Sequence, residues 1–154
     1  MSEIMPVHQE DAWGCGLAVL AMLTGDSYAQ VKQNVEADPW ARDGAAKRDW
    51  DKHGVSQVIL EKYLGDRGFF MRRVYSSWQS DGVWPPKPFA RAHWCIVQQP
   101  SGNGHFVVMD WRGRVFDPMD PDGQHTLDDW SVVNCVVGVA RVALDFGASE
   151  GKAG

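Results

Sequence analysis

Residues 9–22, with the sequence QEDAWGCGLAVLAM, decide the fold of this chain of 154 residues. From Cys15 onward the residues are small and apolar as far as Leu23, and a Thr-Gly pair then provides a stop signal. This pattern predicts a buried helix that begins at Cys15. Because a helix N-terminus stabilises anions, a thiol at this position favours the thiolate, which is the nucleophilic form. Gly14 and Gly16, on either side, leave room for a substrate carbonyl to approach.

The composition excludes several classes of protein. Hydrophobic residues make up 44% and charged residues 23% of the chain, which is typical of one globular domain of this length. A net charge of −5 argues against nucleic-acid binding, which needs a basic surface. The longest apolar stretches fall far short of the ~20 residues of a membrane span, and no signal segment is visible. We therefore expect a cytoplasmic protein without nucleic-acid or membrane partners; its oligomeric state stays open.

The three cysteines, Cys15, Cys95 and Cys135, form an odd set. A disulfide framework is therefore not expected, and in a reducing compartment these residues remain thiols. Cys95 and Cys135 lie in apolar stretches that fit core strands. His93 and Cys95 would share one face of a strand, but this spacing lacks the usual pairs of zinc ligands. We expect no metal and no cofactor.

The order of the predicted elements is that of an α+β protein. After the first helix, a second helix begins at Ser27 and a third covers 56–64. The predicted strands follow at 69–75, 93–98, 105–110, 114–117 and 136–144. We expect N-terminal helices packed on a C-terminal antiparallel β-sheet in a single domain of residues 1–146. Within it, 36–54 is a predicted insertion or flap, and 147–154 is a predicted flexible tail.

A candidate base and its orienting group come from a predicted hairpin. A three-residue loop with Gly113 in the left-handed conformation pairs Val107 with Asp117 and places His105 on the same face as Asp117. A two-residue turn would place His105 and Asp117 on opposite faces. As diagonal neighbours the two side chains can meet. Asp117 could then orient the His105 imidazole, and His105 could take the proton of the Cys15 thiol.

Gln9 precedes the candidate nucleophile by six residues, a separation that suits an extended segment running into the helix. Its side-chain amide could donate to an oxyanion together with the backbone N–H of Cys15. The candidate substrate-binding residues are Trp13, Gly14, Gly16 and Gly104. Trp84 and Trp94 could also line a groove for an extended peptide.

Each of these residues also has a structural interpretation. Cys15 fits a packed helix, Gln9 a solvated terminus, His105 a strand end and Asp117 a turn before proline. Taken together, their placement favours catalysis by a thiol. Two alternatives stay open, namely a non-catalytic module that binds a peptide or a partner protein, and an acyltransferase that uses the same residues.

The motifs resemble those of papain-like cysteine peptidases, and most closely the branch that processes the double-glycine leader peptides of bacteriocins. Residues 9–22 resemble the opening of that branch, and GHFVV at 104–108 and VFDP at 115–118 resemble its His and Asp motifs. TLDDW at 126–130 resembles the helix that follows them.

This resemblance implies a papain-like fold and one role for each of four residues. Cys15 would be the nucleophile, His105 the general base, Asp117 the orienting carboxylate and Gln9 the oxyanion donor. The substrate would be a peptide or protein with a peptide, isopeptide or related amide bond. Gly14 stands where that branch typically has Asp, and we expect a stand-alone domain rather than one joined to a transporter.

Overall fold

The computed structural model describes residues 3–39, 54–77, 84 and 86–141. The α-helices described in full are α1 (Cys15–Thr24), α2 (Tyr28–Ala37) and α3 (Gln57–Asp66). The strands are β1 (Phe70–Ser76), β2 (Ala92–Gln98), β3 (Gly104–Asp110), β4 (Val115–Asp117), β5 (Asp120–His125) and β6 (Val133–Ala140). A short 3-10 helix, Leu127–Asp129, lies between β5 and β6.

The helices begin where the sequence predicts, whereas α3 extends past its predicted end at residue 64 to Asp66. Residues 16–23 of α1 are buried, and Gly25 ends the helix with φ 84° and an N–H bond to the carbonyl of Ala21. Ser27 and Ser56 cap α2 and α3 with side-chain oxygens that accept backbone N–H groups. In the described ranges, no helix is both long and apolar enough to cross a membrane.

The strands form one antiparallel sheet in the order β1-β6-β2-β3-β4-β5. Its two faces carry separate cores. One core joins the sheet to the helices through fully buried residues such as Leu17 and Trp94. The other core, on the opposite face of the sheet, contains strand residues such as Cys95, against which Leu127 and Trp130 pack. The architecture is therefore α+β, with N-terminal helices packed on a C-terminal antiparallel sheet.

The β3–β4 hairpin has the predicted register. Val108 pairs with Phe116 and Met109 with Val115, and the Asp110 N–H donates to the Arg114 carbonyl at 2.9 Å. Gly113 ends the three-residue loop with φ 86°. The register predicted from this loop is confirmed.

Three parts of the chain differ from the predictions or fall outside them. Strand β5 was not predicted, because DPDGQH lacks apolar alternation and contributes mainly backbone pairing at the sheet edge. Strand β6 begins at Val133, earlier than the predicted residue 136. In the predicted flap, residues 36 and 37 belong to α2, while residues 40–53 and the predicted tail 147–154 lie outside the described residues.

The hairpin loop provides a test of this register. Gly113→Ala should lower the free energy of unfolding by about 1 kcal/mol, because an L side chain is strained at a positive φ. Gly65→Ala is the matched control, since Gly65 lies within α3 and no described atom lies within 4 Å of an added Cβ. It should raise stability by about 0.5–1 kcal/mol. Urea denaturation measures both, and equal stability of the two variants would contradict the loop conformation.

Candidate active site

Cys15 is the first residue of α1, at the end of a helix that is otherwise buried. Its thiol is free and only partly buried, whereas the residues that follow it are packed in the core. Gly14 is the N-cap residue, and no side chain in the described ranges caps this end of the helix. The free N–H groups of the first turn therefore face the same end of the helix as the thiol.

His105 and Asp117 meet through their side chains, as the hairpin register predicts. His105 Nε2 lies 2.6 Å from Asp117 Oδ1, and the two residues are 4% and 9% exposed. The same carboxylate oxygen accepts the N–H of Met119 at 2.9 Å. Because Nε2 is engaged by Asp117, Nδ1 is the ring nitrogen that remains for Cys15, whose thiol lies near enough to help raise the pKa of His105.

His105 and Asp117 each stabilise the charged form of the other. Burial alone would lower the pKa of His105, but hydrogen bonds to Asp117 and Cys15 outweigh it and raise the pKa to about 9. Burial would raise the pKa of Asp117, yet the hydrogen bond from His105 leaves that pKa below its usual value. At neutral pH the site therefore holds an imidazolium beside a carboxylate.

Gln9 is buried at the edge of the same site. Its Nε2 donates to the carbonyl oxygens of Asp11 at 3.1 Å and Ala12 at 3.2 Å. Its backbone N–H donates to the carbonyl of Pro118 at 3.0 Å. Among the described residues, Gln9 Oε1 has no hydrogen-bond partner. Opposite assignment of the amide would turn an oxygen toward two carbonyl oxygens, so this orientation of the amide is the favoured one.

Cys15, His105 and Gln9 open into one cleft of about 490 Å³. The other described residues that line it are Ala12, Trp13, Gly54, Val55, Ser56, Gln57, Ile96, Gln99, Ser101, Asn103, Gly104, Phe106 and Met119. Among these described residues, His105 is the only one that can carry a charge near neutral pH apart from the thiol. The cleft thus presents amides, hydroxyls and apolar groups to its ligand.

The predicted substrate-binding residues divide into two pairs. Trp13 and Gly104 line the cleft, but the described lining does not include Gly14 or Gly16. A Cβ added at Gly14 would collide with the Tyr28 hydroxyl, and one added at Gly16 would lie 3.1 Å from Val55 Cβ. The space at both glycines is therefore filled by the protein itself.

Two further tryptophans lie outside the described lining of the cleft that contains Trp13. Trp94 is fully buried in the helix-side core, where it packs edge-on against Phe106. Trp84 is 44% exposed and packs on Tyr75, with ring centroids 5.1 Å apart, outside the described lining of the cleft. The expectation for Trp94 was wrong because its strand position points into the core.

The remaining thiols and His93 have structural surroundings. Burial raises the pKa of Cys95 well above its usual value and that of Cys135 to about 11. His93 Nε2 accepts the N–H groups of Phe89 and Ala90, and burial lowers its pKa to about 4. In the described ranges, no group of three or more His, Cys, Asp or Glu residues could hold a metal ion.

Sequence reasoning missed two groups that shape the site. The residues before and at the start of α3, including Ser56 and Gln57, form one wall of the cleft, although their helix-capping pattern indicated only secondary structure. Tyr28 reaches the loop before Cys15 from α2. No local motif marks Tyr28, because its contacts span 17 residues of sequence.

No family model and no curated relative matches this chain. Similar solved structures are peptidase domains. The peptidase domain of Streptococcus ComA, a bi-functional ABC transporter involved in quorum sensing, is 15% identical to this chain, with a TM-score of 0.62. The match covers 91% of this chain and 100% of that domain. A double glycine motif protease from an AMS/PCAT transporter, solved with its leader peptide, is 17% identical with a TM-score of 0.53, over 89% and 91%.

The peptidase domain of Streptococcus mutans ComA, solved with a small-molecule inhibitor, is 15% identical with a TM-score of 0.50, over 88% of this chain and 98% of that domain. Identities this low report a likeness of fold. The chain therefore has the α+β, papain-like fold of these peptidase domains.

Proposed function

We propose that this protein is a cysteine peptidase that cleaves a peptide, isopeptide or related amide bond with Cys15, His105 and Asp117. The observation that carries the proposal is the position of His105, whose Nε2 lies 2.6 Å from Asp117 Oδ1 and whose ring shares one cleft with the Cys15 thiol. A nucleophile, a base and a group that orients the base, arranged in this order, are one established way to activate a thiol for catalysis. The fold shared with peptidase domains supports the same conclusion.

The reaction follows from the charges of the site. The His105 imidazolium stabilises the Cys15 thiolate, which attacks the carbonyl carbon of the scissile amide. His105 then gives its proton to the leaving amine, and the amine departs as the acyl-thioester remains on Cys15. Water, deprotonated by the neutral imidazole, attacks the thioester and releases the acid. Asp117 keeps its charge and holds the ring in orientation throughout.

The oxyanion of the tetrahedral intermediate would be held by Gln9 and by the Cys15 N–H at the start of α1. Gln9 Nε2 carries two hydrogens, and its two carbonyl partners belong to adjacent residues, Asp11 and Ala12. One hydrogen shared between these carbonyls leaves the second for the oxyanion. Preorganised donors of this kind contribute about 10²–10³ to the rate of acyl transfer.

The described lining of the cleft favours an extended peptide as substrate. Side-chain amides of Gln57, Gln99 and Asn103 can bond a peptide backbone, and apolar groups such as Trp13 and Ile96 can pack against its side chains. A similar peptidase domain was solved with a leader peptide bound. Three free thiols are also compatible with the reducing conditions of a cytoplasm.

Cys15→Ala should abolish cleavage of a mixed library of internally quenched peptides, with a loss of at least ~10³-fold, because the nucleophile is removed. Cys135→Ala is the matched control: it removes a buried thiol outside the described lining of the cleft and should keep the activity. Mass spectrometry of the products and urea denaturation check turnover and folding. Turnover retained by Cys15→Ala, or no cleavage by the unmodified chain, would contradict the peptidase assignment.

Alkylation by iodoacetamide tests the thiolate without knowledge of the substrate. One thiol per native chain should react between pH 6 and 8, and peptide mapping should place it at Cys15, since burial raises the pKa of Cys95 and Cys135. His105→Ala should slow this reaction at pH 6.5 by about tenfold or more, because the imidazolium no longer stabilises the thiolate. Three equally slow thiols would favour the non-catalytic binding module instead.

The pH dependence of cleavage follows from the raised pKa of His105. Its proton is retained until the pH approaches 9, so turnover should persist through neutral pH and decline above about pH 9, where no acid remains for the leaving amine. Asp117→Asn should move this decline to lower pH, because it removes the charge that stabilises the imidazolium. Profiles of kcat/KM between pH 5 and 10.5 measure the shift, and identical profiles would exclude this role of Asp117.

A further inference from the structure

Tyr28, the first residue of α2, places its hydroxyl against the loop that leads into α1. Tyr28 is 5% exposed, and its hydroxyl donates to Asp11 Oδ2 at 2.7 Å and accepts the Asp11 N–H at 3.2 Å. Lys32, one turn further along α2, lies 3.0 Å from Asp11 Oδ1. Helix α2 thus holds Asp11 by both its side chain and its backbone.

Asp11 in turn holds the amide of Gln9. The carbonyl oxygen of Asp11 accepts Gln9 Nε2 at 3.1 Å and the N–H of Gly14 at 3.0 Å. An unbroken series of hydrogen bonds therefore runs from the Tyr28 hydroxyl through Asp11 to the side chain of Gln9. Loss of the hydroxyl would leave Asp11 held by Lys32 and by the Gly14 N–H but no longer by Tyr28, and would so loosen the carbonyl that orients the amide.

The same hydroxyl occupies the space beside Gly14. A Cβ added at Gly14 would overlap the Tyr28 oxygen, and the ring atom Cζ would be 3.0 Å away. Gly14 is the N-cap residue directly before Cys15, so its backbone sets the direction of the Cys15 N–H. Tyr28 therefore contacts the supports of both candidate oxyanion donors.

We propose that Tyr28 is a positioning residue for oxyanion stabilisation, which fixes the Gln9 amide through Asp11 and the Cys15 N–H through contact with Gly14. This inference rests on the proposed function, since it requires an acyl-transfer step at Cys15. Tyr28 takes no part in the proton transfers and does not line the cleft among the described residues. Its role is to keep two donors in place before the oxyanion forms, which is the condition for such donors to act.

The ionisation states of the pair suit this role. The hydrogen bond from Tyr28 lowers the pKa of Asp11, and burial together with the bond to Asp11 raises the pKa of Tyr28. The neutral hydroxyl and the carboxylate consequently persist from mildly acidic to mildly alkaline pH, so the loop is held across the range in which His105 keeps its proton.

Tyr28→Phe tests the inference, because it keeps the buried ring and removes only the hydroxyl. The two probes are p-nitrophenyl acetate, which acylates the thiol through an oxyanion, and iodoacetamide, which alkylates it without one. Acylation of Cys15 should be about tenfold slower in Tyr28→Phe, whereas alkylation should stay within about twofold. Gln9→Ala should likewise slow the acylation of Cys15 and leave its alkylation nearly unchanged. The double variant should be slower than Gln9→Ala alone by less than the factor that Tyr28→Phe costs in the unmodified chain, because the two substitutions share the Gln9 donor and only the Cys15 N–H is disturbed independently.

Tyr63→Phe is the matched control. Tyr63 is also 5% exposed, and its hydroxyl accepts a hydrogen bond from Asn34 at 3.0 Å, outside the described lining of the cleft. It should keep the acylation rate even if it lowers stability. Equal acylation by Tyr28→Phe and Tyr63→Phe, or a multiplicative loss in the double variant, would overturn the role of Tyr28. If the unmodified chain shows no acylation at Cys15, the proposed function fails instead.

Discussion

The buried hydrogen bond between His105 and Asp117 is the interaction on which the candidate site depends. His105 Nε2 and Asp117 Oδ1 lie 2.6 Å apart, and both residues are almost fully buried. Removal of either partner would leave the charge of the other buried without compensation, which is strongly destabilising. The pair keeps the imidazole protonated at neutral pH, and with Nε2 engaged by Asp117 the other ring nitrogen remains for the cleft that Cys15 also lines. The sheet thus supplies the proposed base and its carboxylate, while the buried helix α1 supplies the thiol.

The short turn that follows Asp117 joins these two halves. The Asp117 carboxylate accepts the N–H of Met119, which lines the cleft. The carbonyl of Pro118 accepts the backbone N–H of Gln9. The next carboxylate, Asp120, bonds His125 at 2.9 Å. A displacement of this turn would therefore move the orienting carboxylate, a cleft wall and the segment of the candidate oxyanion donor together. The turn therefore fixes the position of the loop before α1 relative to the sheet.

The sequence predicts those parts of the site that depend on local rules. The position of Gly113 determines the length of the hairpin loop, and the two-residue period of strands then puts His105 and Asp117 on one face. The start of α1 at Cys15 follows from composition alone. Strand β5 escaped prediction because an edge strand pairs through its backbone and needs no apolar pattern. At Gly14 the sequence predicts space for a substrate, whereas the Tyr28 hydroxyl fills that space, a contact that no local rule reveals.

Two histidines on the paired strands β2 and β3 show how surroundings rather than residue type select the base. His93 is fully buried, accepts two backbone N–H groups and has a pKa lowered to about 4, so it stays neutral. His105 is almost as deeply buried, yet its pKa is raised to about 9 because a carboxylate and a thiol face its ring. Desolvation acts on both rings in the same direction, so the charged partner decides the outcome. The proposed base is therefore the histidine at the strand end where the hairpin register brings a carboxylate within reach.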